Sequence, residues 1–528
     1  MGIRTTDNGR TTMSERETIP STTVSERETI PSTTVSEREA IAATASPRLY
    51  NEDIAPRSDV GHWTTWALFS WWMSAWHSLG GYTMAVGLLV LGINGWQMSV
   101  GLAIGVIIIF FFSNLMGVAG QRVGVPFPVF ARISFGVYGA NIPAILRAIV
   151  AVAWYGIQTY LASLAVMLLV LKLDPGASGM TEGGFLGLST LGWICFLVLW
   201  AAQLAVLWRG MEAVRRLSEV AGTTIWVAMI ALALWVLNQA KWTVNWSYVE
   251  GPPLSGGETL TAILGAVFIT CAYMAGPMLN FADFTRLAPS ERDVKRGNAW
   301  GLLLNGVAFC VLSVVIALAG VQAYGKAITD PLQLLEKVDS VAILLVAIIA
   351  VAVATVGINI ILNFVSPAYD FSNVWPSKIS FRTGGVITAV LALLVMPWKL
   401  YANPVAVNYF IGGVGGLMGP LLGIMLVDYY YLRRAQVKIP DLYSESPAAK
   451  YHYTNGFSRN SIISLLVAGV LALSAAYLPV FSSLQHYSWP IGLISGGLMV
   501  AMLNRHHMPV DPAQSRGAAP TTVTGGHG

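Results

Sequence analysis

The chain is poor in charge. Of its 528 residues only 11% are Asp, Glu, Lys or Arg, while 55% are hydrophobic and the mean hydropathy is +0.61. Soluble domains carry roughly 25% charged residues, so this composition excludes an ordinary soluble enzyme or binding module and indicates a polytopic membrane protein. Cysteine is scarce too: Cys195, Cys271 and Cys310 all fall in apolar stretches, which leaves neither a disulfide framework nor metal-ligand spacing. A clustered basic face is also missing. The formal charge is +4, but Lys and Arg are scattered between apolar runs, which argues against nucleic acid as a partner. Residues 1–46 hold no apolar core of the length a secretory signal needs.

They hold a repeat instead, "TTMSERETIPS", "TTVSERETIPS", "TTVSEREA", with a period of 11. Such a period can wind a right-handed coiled coil, but these units are polar and the first two contain a helix-ending proline. A disordered cytoplasmic tail over 1–58 is expected, with a second over 505–528.

Twelve runs between the tails approach the roughly 20 apolar residues a membrane-crossing helix needs. They lie near 64–90, 96–119, 140–171, 187–208, 218–239, 258–282, 298–323, 340–365, 384–397, 405–430, 459–479 and 486–504. Loops after the even-numbered spans up to the tenth hold fourteen Lys and Arg, from Arg122 to Lys438; those after odd spans hold five, namely Lys172, Lys241, Lys326, Lys337 and Lys399. By the positive-inside rule both termini are cytoplasmic, in the cell (inner or plasma) membrane.

Two spans carry helix breakers. Span 1 has His77 followed by Gly80-Gly81, and span 6 has Gly276-Pro277. Equivalent breaks five spans apart are the mark of inverted-repeat secondary transporters, whose sites lie at such breaks. The expected fold is therefore an all-α integral membrane protein with a five-plus-five inverted repeat, broken helices 1 and 6, and two further C-terminal helices. The repeats would occupy 59–239 and 240–435, and helices 11 and 12 would occupy 436–504.

Polar residues in the apolar spans are the candidate site. In "WYGIQ", Trp154 and Gln158 lie four apart and share a helix face. An unsatisfied carboxamide in hydrocarbon costs several kcal/mol, so Gln158 must meet protein, water or ligand. An indole face stacks a planar ring, and an amide beside it can donate to a ring carbonyl and accept from a ring N–H. A helix-to-helix hydrogen bond is the plain alternative. His77, near mid-membrane, is an ionisable group and the first candidate to carry a coupling proton. Asn359 and Asn363 share a face of span 8 and together are expected to line a cavity; Tyr273 and Met274 precede the break of span 6. Arg147, on the face of Trp154, is read as snorkelling to the cytoplasmic surface. Asp283, Arg286, Asp370 and Asp428 sit at or near cytoplasmic helix ends, as caps, ion pairs or gate residues.

The segments "GVPFPVFARISFGVYGANIPAILRAIVAVAWYGIQTYLA", "NFADFTR", "NFVSPAYDFSN", "MPWKLYANP" and "GGLMGPLLGIMLVDYYYLRR" together resemble the nucleobase-cation-symport family 1, whose members carry hydantoins, allantoin, uracil, cytosine and purines. The likeness runs from about residue 60 to 445. It implies ten core helices plus two, a substrate held by Trp154, Gln158 and Asn363 with His77 adjacent, and a monomer. Two departures stand out. Where family members often have a second Trp, this chain has Met274 beside Tyr273; and adjacent hydroxyl residues of the sodium-dependent hydantoin carrier correspond to Gly357 and Ile358. Neither can offer a side-chain oxygen to a hard cation, although Thr355 is near. Proton coupling, or no coupling ion, is favoured over sodium, and no cofactor is expected.

The expected function is proton-coupled import of a planar nucleobase-like or ureide substrate such as allantoin, uracil or hydantoin by alternating access. A vitamin or amino-acid carrier on the same fold is the alternative. An intramembrane enzyme would need an activated nucleophile, a carboxylate pair or a metal set at membrane depth, and a channel would need repeated pore signatures; the sequence has none of these. Uptake at fixed pH and membrane potential should accordingly be indifferent to sodium, and stimulation by sodium would count against the proton.

Overall fold

The computed structural model describes residues 33–505 apart from 78, 327, 329–332, 334–340 and 403. The first two 11-residue repeats and the tail from 506 onward lie outside the described residues. Helix α1 (Val35–Thr44) starts at a capping box in which the Thr34 side chain accepts from the Glu37 N–H and Glu37 returns the bond. The chain then runs as a strap across one end of the bundle, with Leu49 and Ile54 buried. Residues 33–58 thus correct the expected disorder of 1–58: after the third repeat the sequence supplies apolar residues that dock on the fold.

Span 1 is α2 (Thr65–Trp76) and α3 (Leu79–Gly87), broken at His77 with φ −84° and ψ 80°. The break falls three residues before the expected glycines, which are helical within α3. Next come α4 (Gly95–Val123), α5 (Asn141–Leu173), α6 (Thr190–Trp208), α7 (Met211–Gln239) and α8 (Gly256–Tyr273). Helix α8 stops at Tyr273, and the chain turns at Met274 into the short helices Ala275–Leu279 and Ala282–Thr285. Pro277 explains the position: its ring would clash with the carbonyl four residues back, on Tyr273.

The second half continues with α9 (Glu291–Tyr324), α10 (Leu344–Val374), α11 (Phe381–Leu394) and α12 (Tyr409–Leu432), followed by α13 (Arg459–Tyr477) and α14 (Ser488–Asn504). Among the described residues nine helices are long and apolar enough to cross a membrane, and Gly80–Leu91 and Phe381–Leu394 are shorter apolar helices. With α14 they account in order for the twelve apolar runs. Single π-helical stretches interrupt α9 at Ala299–Leu304, α10 at Ile360–Phe364 and α12 at its end.

Helix α5 packs on α10 and α11, α4 on α8, and α12 on α13 and α14. The last contact is made through glycines, since association inside lipid favours small residues that let backbones approach. A Cβ at Gly423 would stand 2.1 Å from the Leu493 carbonyl oxygen, and one at Gly419 would stand 2.4 Å from that of Trp489.

Arg132, fully buried between α4 and α5, ties the strap down. Its guanidinium donates to the carbonyls of Leu49 (2.8 Å) and Leu442 (2.9 Å) and to Asn373 Oδ1 (2.6 Å). Burial lowers its pKa to about 10, so it remains charged near neutral pH. Arg132→Met is expected to lower stability by roughly 2–4 kcal/mol because these buried acceptors lose their donor. The unfolding midpoint in detergent measures this, and an unchanged midpoint would mean that other contacts hold the strap.

Candidate functional site

Helix α5 presents Arg147, Val150, Trp154 and Gln158 along one face, at spacings of three and four residues. Opposite them stand Tyr273, Met274, Gly276 and Pro277 of the span 6 break, with Ile358, Leu362 and Asn363 of α10 and Val414 of α12. The cleft between them is narrow, about 20 Å³. A larger cavity of about 420 Å³ adjoins it, bounded by α3, Ile157, Ile269 and the loop carrying Gln485 and His486. Trp154 and Tyr273 line both. Their rings meet edge to face, with centroids 5.8 Å apart at 84°, and Phe410 packs on the Trp154 ring at 5.5 Å. This aromatic pair is the partition between a tight polar cleft and a roomier apolar vestibule.

Gln158 is 2% exposed and its Oε1 has no hydrogen-bond partner among the described residues. A buried acceptor left unpaired costs about 1–3 kcal/mol, so this carbonyl is primed to accept an N–H. The two asparagines of α10 divide their tasks. Asn363 lines the cleft and donates to Asn359 Oδ1 at 3.2 Å. Asn359 does not line it: its Nδ2 donates to Tyr155 O (3.0 Å), Thr159 Oγ1 (3.0 Å) and Gln203 Oε1 (2.8 Å). Asn359 is therefore a brace joining α5, α6 and α10, and it orients Asn363.

Arg147 corrects the snorkelling expectation. It is 1% exposed, donates through Nε to Asn280 Oδ1 (3.0 Å) and through Nη2 to the Leu362 carbonyl (2.8 Å), and lines the cleft. Gly276 makes the niche, since a Cβ there would stand 3.2 Å from the guanidinium carbon. The position of Arg147 seven and eleven residues before Trp154 and Gln158 was the available signal, because those intervals return to one helix face. His77 lines neither cavity; it lies buried between Trp226 (centroids 4.8 Å apart) and Phe309 (4.6 Å). Thr355 is buried in α10 away from the cleft, and Gly357 abuts α7, where a Cβ would stand 2.4 Å from that of Ala221. Among the described residues no cluster of His, Cys, Asp and Glu could hold a metal ion.

Residues 58–492 match the family model described as permease for cytosine/purines, uracil, thiamine, allantoin. The chain belongs to that family. It is 33% identical over 470 residues to the allantoin permease of Bacillus subtilis (strain 168), covering 89% of this chain and 96% of that one. It is 31% identical over 460 residues to the purine-uracil permease NCS1 of Arabidopsis thaliana, covering 87% and 75%. Among solved structures it is similar to Mhp1, a nucleobase-cation-symport-1 family transporter in a closed conformation with bromovinylhydantoin bound, with a TM-score of 0.69, 21% identity, and 88% and 98% of the two chains covered. That likeness confirms the fold.

The permease is thus a multi-pass membrane transporter and not an enzyme. Its two asparagines should separate experimentally. Asn359→Ala, which takes the partner from Gln203 Oε1 and from the Asn363 amide, should lower the unfolding midpoint, whereas Asn363→Ala should unfold like the native permease and lose uptake. Equal midpoints for both variants would refute the brace.

Proposed function

We propose that the permease imports a planar, uncharged nucleobase-like or ureide compound, allantoin first, in symport with protons and by alternating access. The observation that carries this reading is the pairing in one cleft of the Trp154 face with the unpartnered Gln158 carbonyl, with Asn363 opposite. Ureides and nucleobases present alternating N–H and C=O edges, and carboxamides match both. The relative from Bacillus subtilis is an allantoin permease, and the ligand bound in Mhp1 is a hydantoin. The family description also names thiamine, but a guanidinium in the lining opposes a cationic ring. An amino acid would want helix N-termini aimed at its carboxylate.

The cleft is too small for a ring as it stands, so entry requires the Trp154–Tyr273 partition to move. The vestibule beyond it supports a route from the bundle end formed by Leu88–Leu91 and residues 479–487, opposite the strap. By the positive-inside argument the strap end faces the cytoplasm. Gly357 and Ile358 supply no side-chain oxygen for sodium, which supports the proton as coupling ion, and we take the working unit to be a monomer.

Uptake of radiolabelled allantoin into cells expressing the permease, with uracil, cytosine, hydantoin, adenine and an amino acid as competitors, tests the reading. Gln158→Ala should reduce uptake at least about tenfold, the equivalent of one lost hydrogen bond to a buried group. Background uptake of every heterocycle would return Trp154 and Gln158 to packing roles.

A further inference from the structure

Seven residues beyond Asn363 on α10, outside the lining of the cleft, lies Asp370. It is 1% exposed, and neither carboxylate oxygen has a hydrogen-bond partner among the described residues. A carboxylate buried in this way is costly unless it is paired and hydrogen-bonded. Two charged groups act on it, Arg147 from α5 and Asp283 from the turns after the span 6 break. Asp283 is otherwise accommodated: it accepts the Phe127 N–H at 2.7 Å and the Asn280 amide at 3.4 Å, and it lies in the field of Arg286.

The other charged groups on the surrounding elements are committed elsewhere. Arg286 donates to Tyr369 Oη and to the Asp53 and Ala55 carbonyls. Asp53 accepts the Phe381 N–H, Arg382 lies over Trp208, and Arg132 holds the strap. Among the described residues, Arg147 is the cation that acts on both the cleft and Asp370. Its Nε and Nη2 bond to Asn280 and the Leu362 carbonyl at the cleft, while its charge attracts Asp370.

From this arrangement we infer that Asp370 is where the permease binds its coupling proton, and that Arg147 reports the charge of Asp370 to the substrate cleft. The proton adds to one carboxylate oxygen, and only an O–H bond forms; release reverses the step. With Asp370 neutral, the guanidinium keeps its bonds to Asn280 and Leu362 and completes the cleft wall beside Gly276. With Asp370 ionised, the guanidinium is drawn toward the carboxylate and that wall loosens. One side chain with two bonding options thereby ties proton occupancy to the shape of the site, which is the bistable element coupling requires. His77 offers no such link, because its neighbours Trp226 and Phe309 carry no charge.

The inference deepens the symport reading and rests on it for one arm of the test. The other arm needs no substrate: the infrared carboxyl band is titrated in purified, reconstituted permease. A protonated-carboxyl signal should appear in the native protein and in His77→Gln and be missing in Asp370→Asn; its persistence in Asp370→Asn overturns the assignment. In liposomes with an imposed proton gradient, native permease and Asp370→Glu should accumulate allantoin, while Asp370→Asn should exchange it across the membrane without accumulating it. Accumulation by Asp370→Asn overturns the inference. So does loss of exchange in both variants, which would make Asp370 structural. If the native permease moves no ring compound, the substrate reading falls and the infrared arm alone decides the proton site.

Discussion

A guanidinium cannot be left unpaired in the middle of a membrane bundle, and the placing of Arg147 is the constraint on which the site depends. Helix α5 delivers it, the missing side chain of Gly276 gives it room, and its bonds run to Asn280 in one broken segment and Leu362 in the π-helical stretch of α10. Three of the four elements that wall the cleft are thus pinned to one another by a single side chain. One acceptor it uses is a backbone carbonyl of the π-helical stretch, and the other is a side-chain oxygen set between the two short helices after the span 6 break. Helix breaks and π stretches are tolerated inside lipid only where freed backbone groups find partners, so the irregular backbone and the buried Arg147 explain each other.

Much of this was legible in the chain. Scarce charge and twelve apolar runs indicated the class, and a polar group in hydrocarbon must have a reason, which led to Gln158 and Asn363. What stayed hidden depends on rotation and on partners distant in sequence. Arg147 sits about two turns inside α5, so depth alone suggested the surface; its burial is decided by Gly276, on another helix. His77 has the right depth for the cleft, but as the residue at which α2 ends it points toward Trp226 and Phe309. Asn359 and Asn363 share a face by spacing, yet neighbouring α6 supplies Gln203 and claims the first of them.

The strap was hidden for a related reason. The third repeat begins like its predecessors, and only the apolar residues that follow distinguish it: Leu49 and Ile54 give the backbone a surface to dock on, while Arg132 and Asn51 supply hydrogen bonds across segments far apart in the chain. Likewise the packing role of the glycines of α12 and α14 shows only once the two backbones are in contact.

The strap also sets an order of assembly. Ile54 accepts its bond from Tyr443 Oη, 389 residues later, and Ser46 Oγ donates to Glu445. At ribosomal rates of about 5–20 residues per second, those partners emerge on the order of 20–80 s after the strap itself. During that interval ten spans enter the bilayer with this end of the molecule unlatched. The strap is thus made before any of the spans, is latched only after ten of them have followed, and closes this end while α13 and α14 are still to be made.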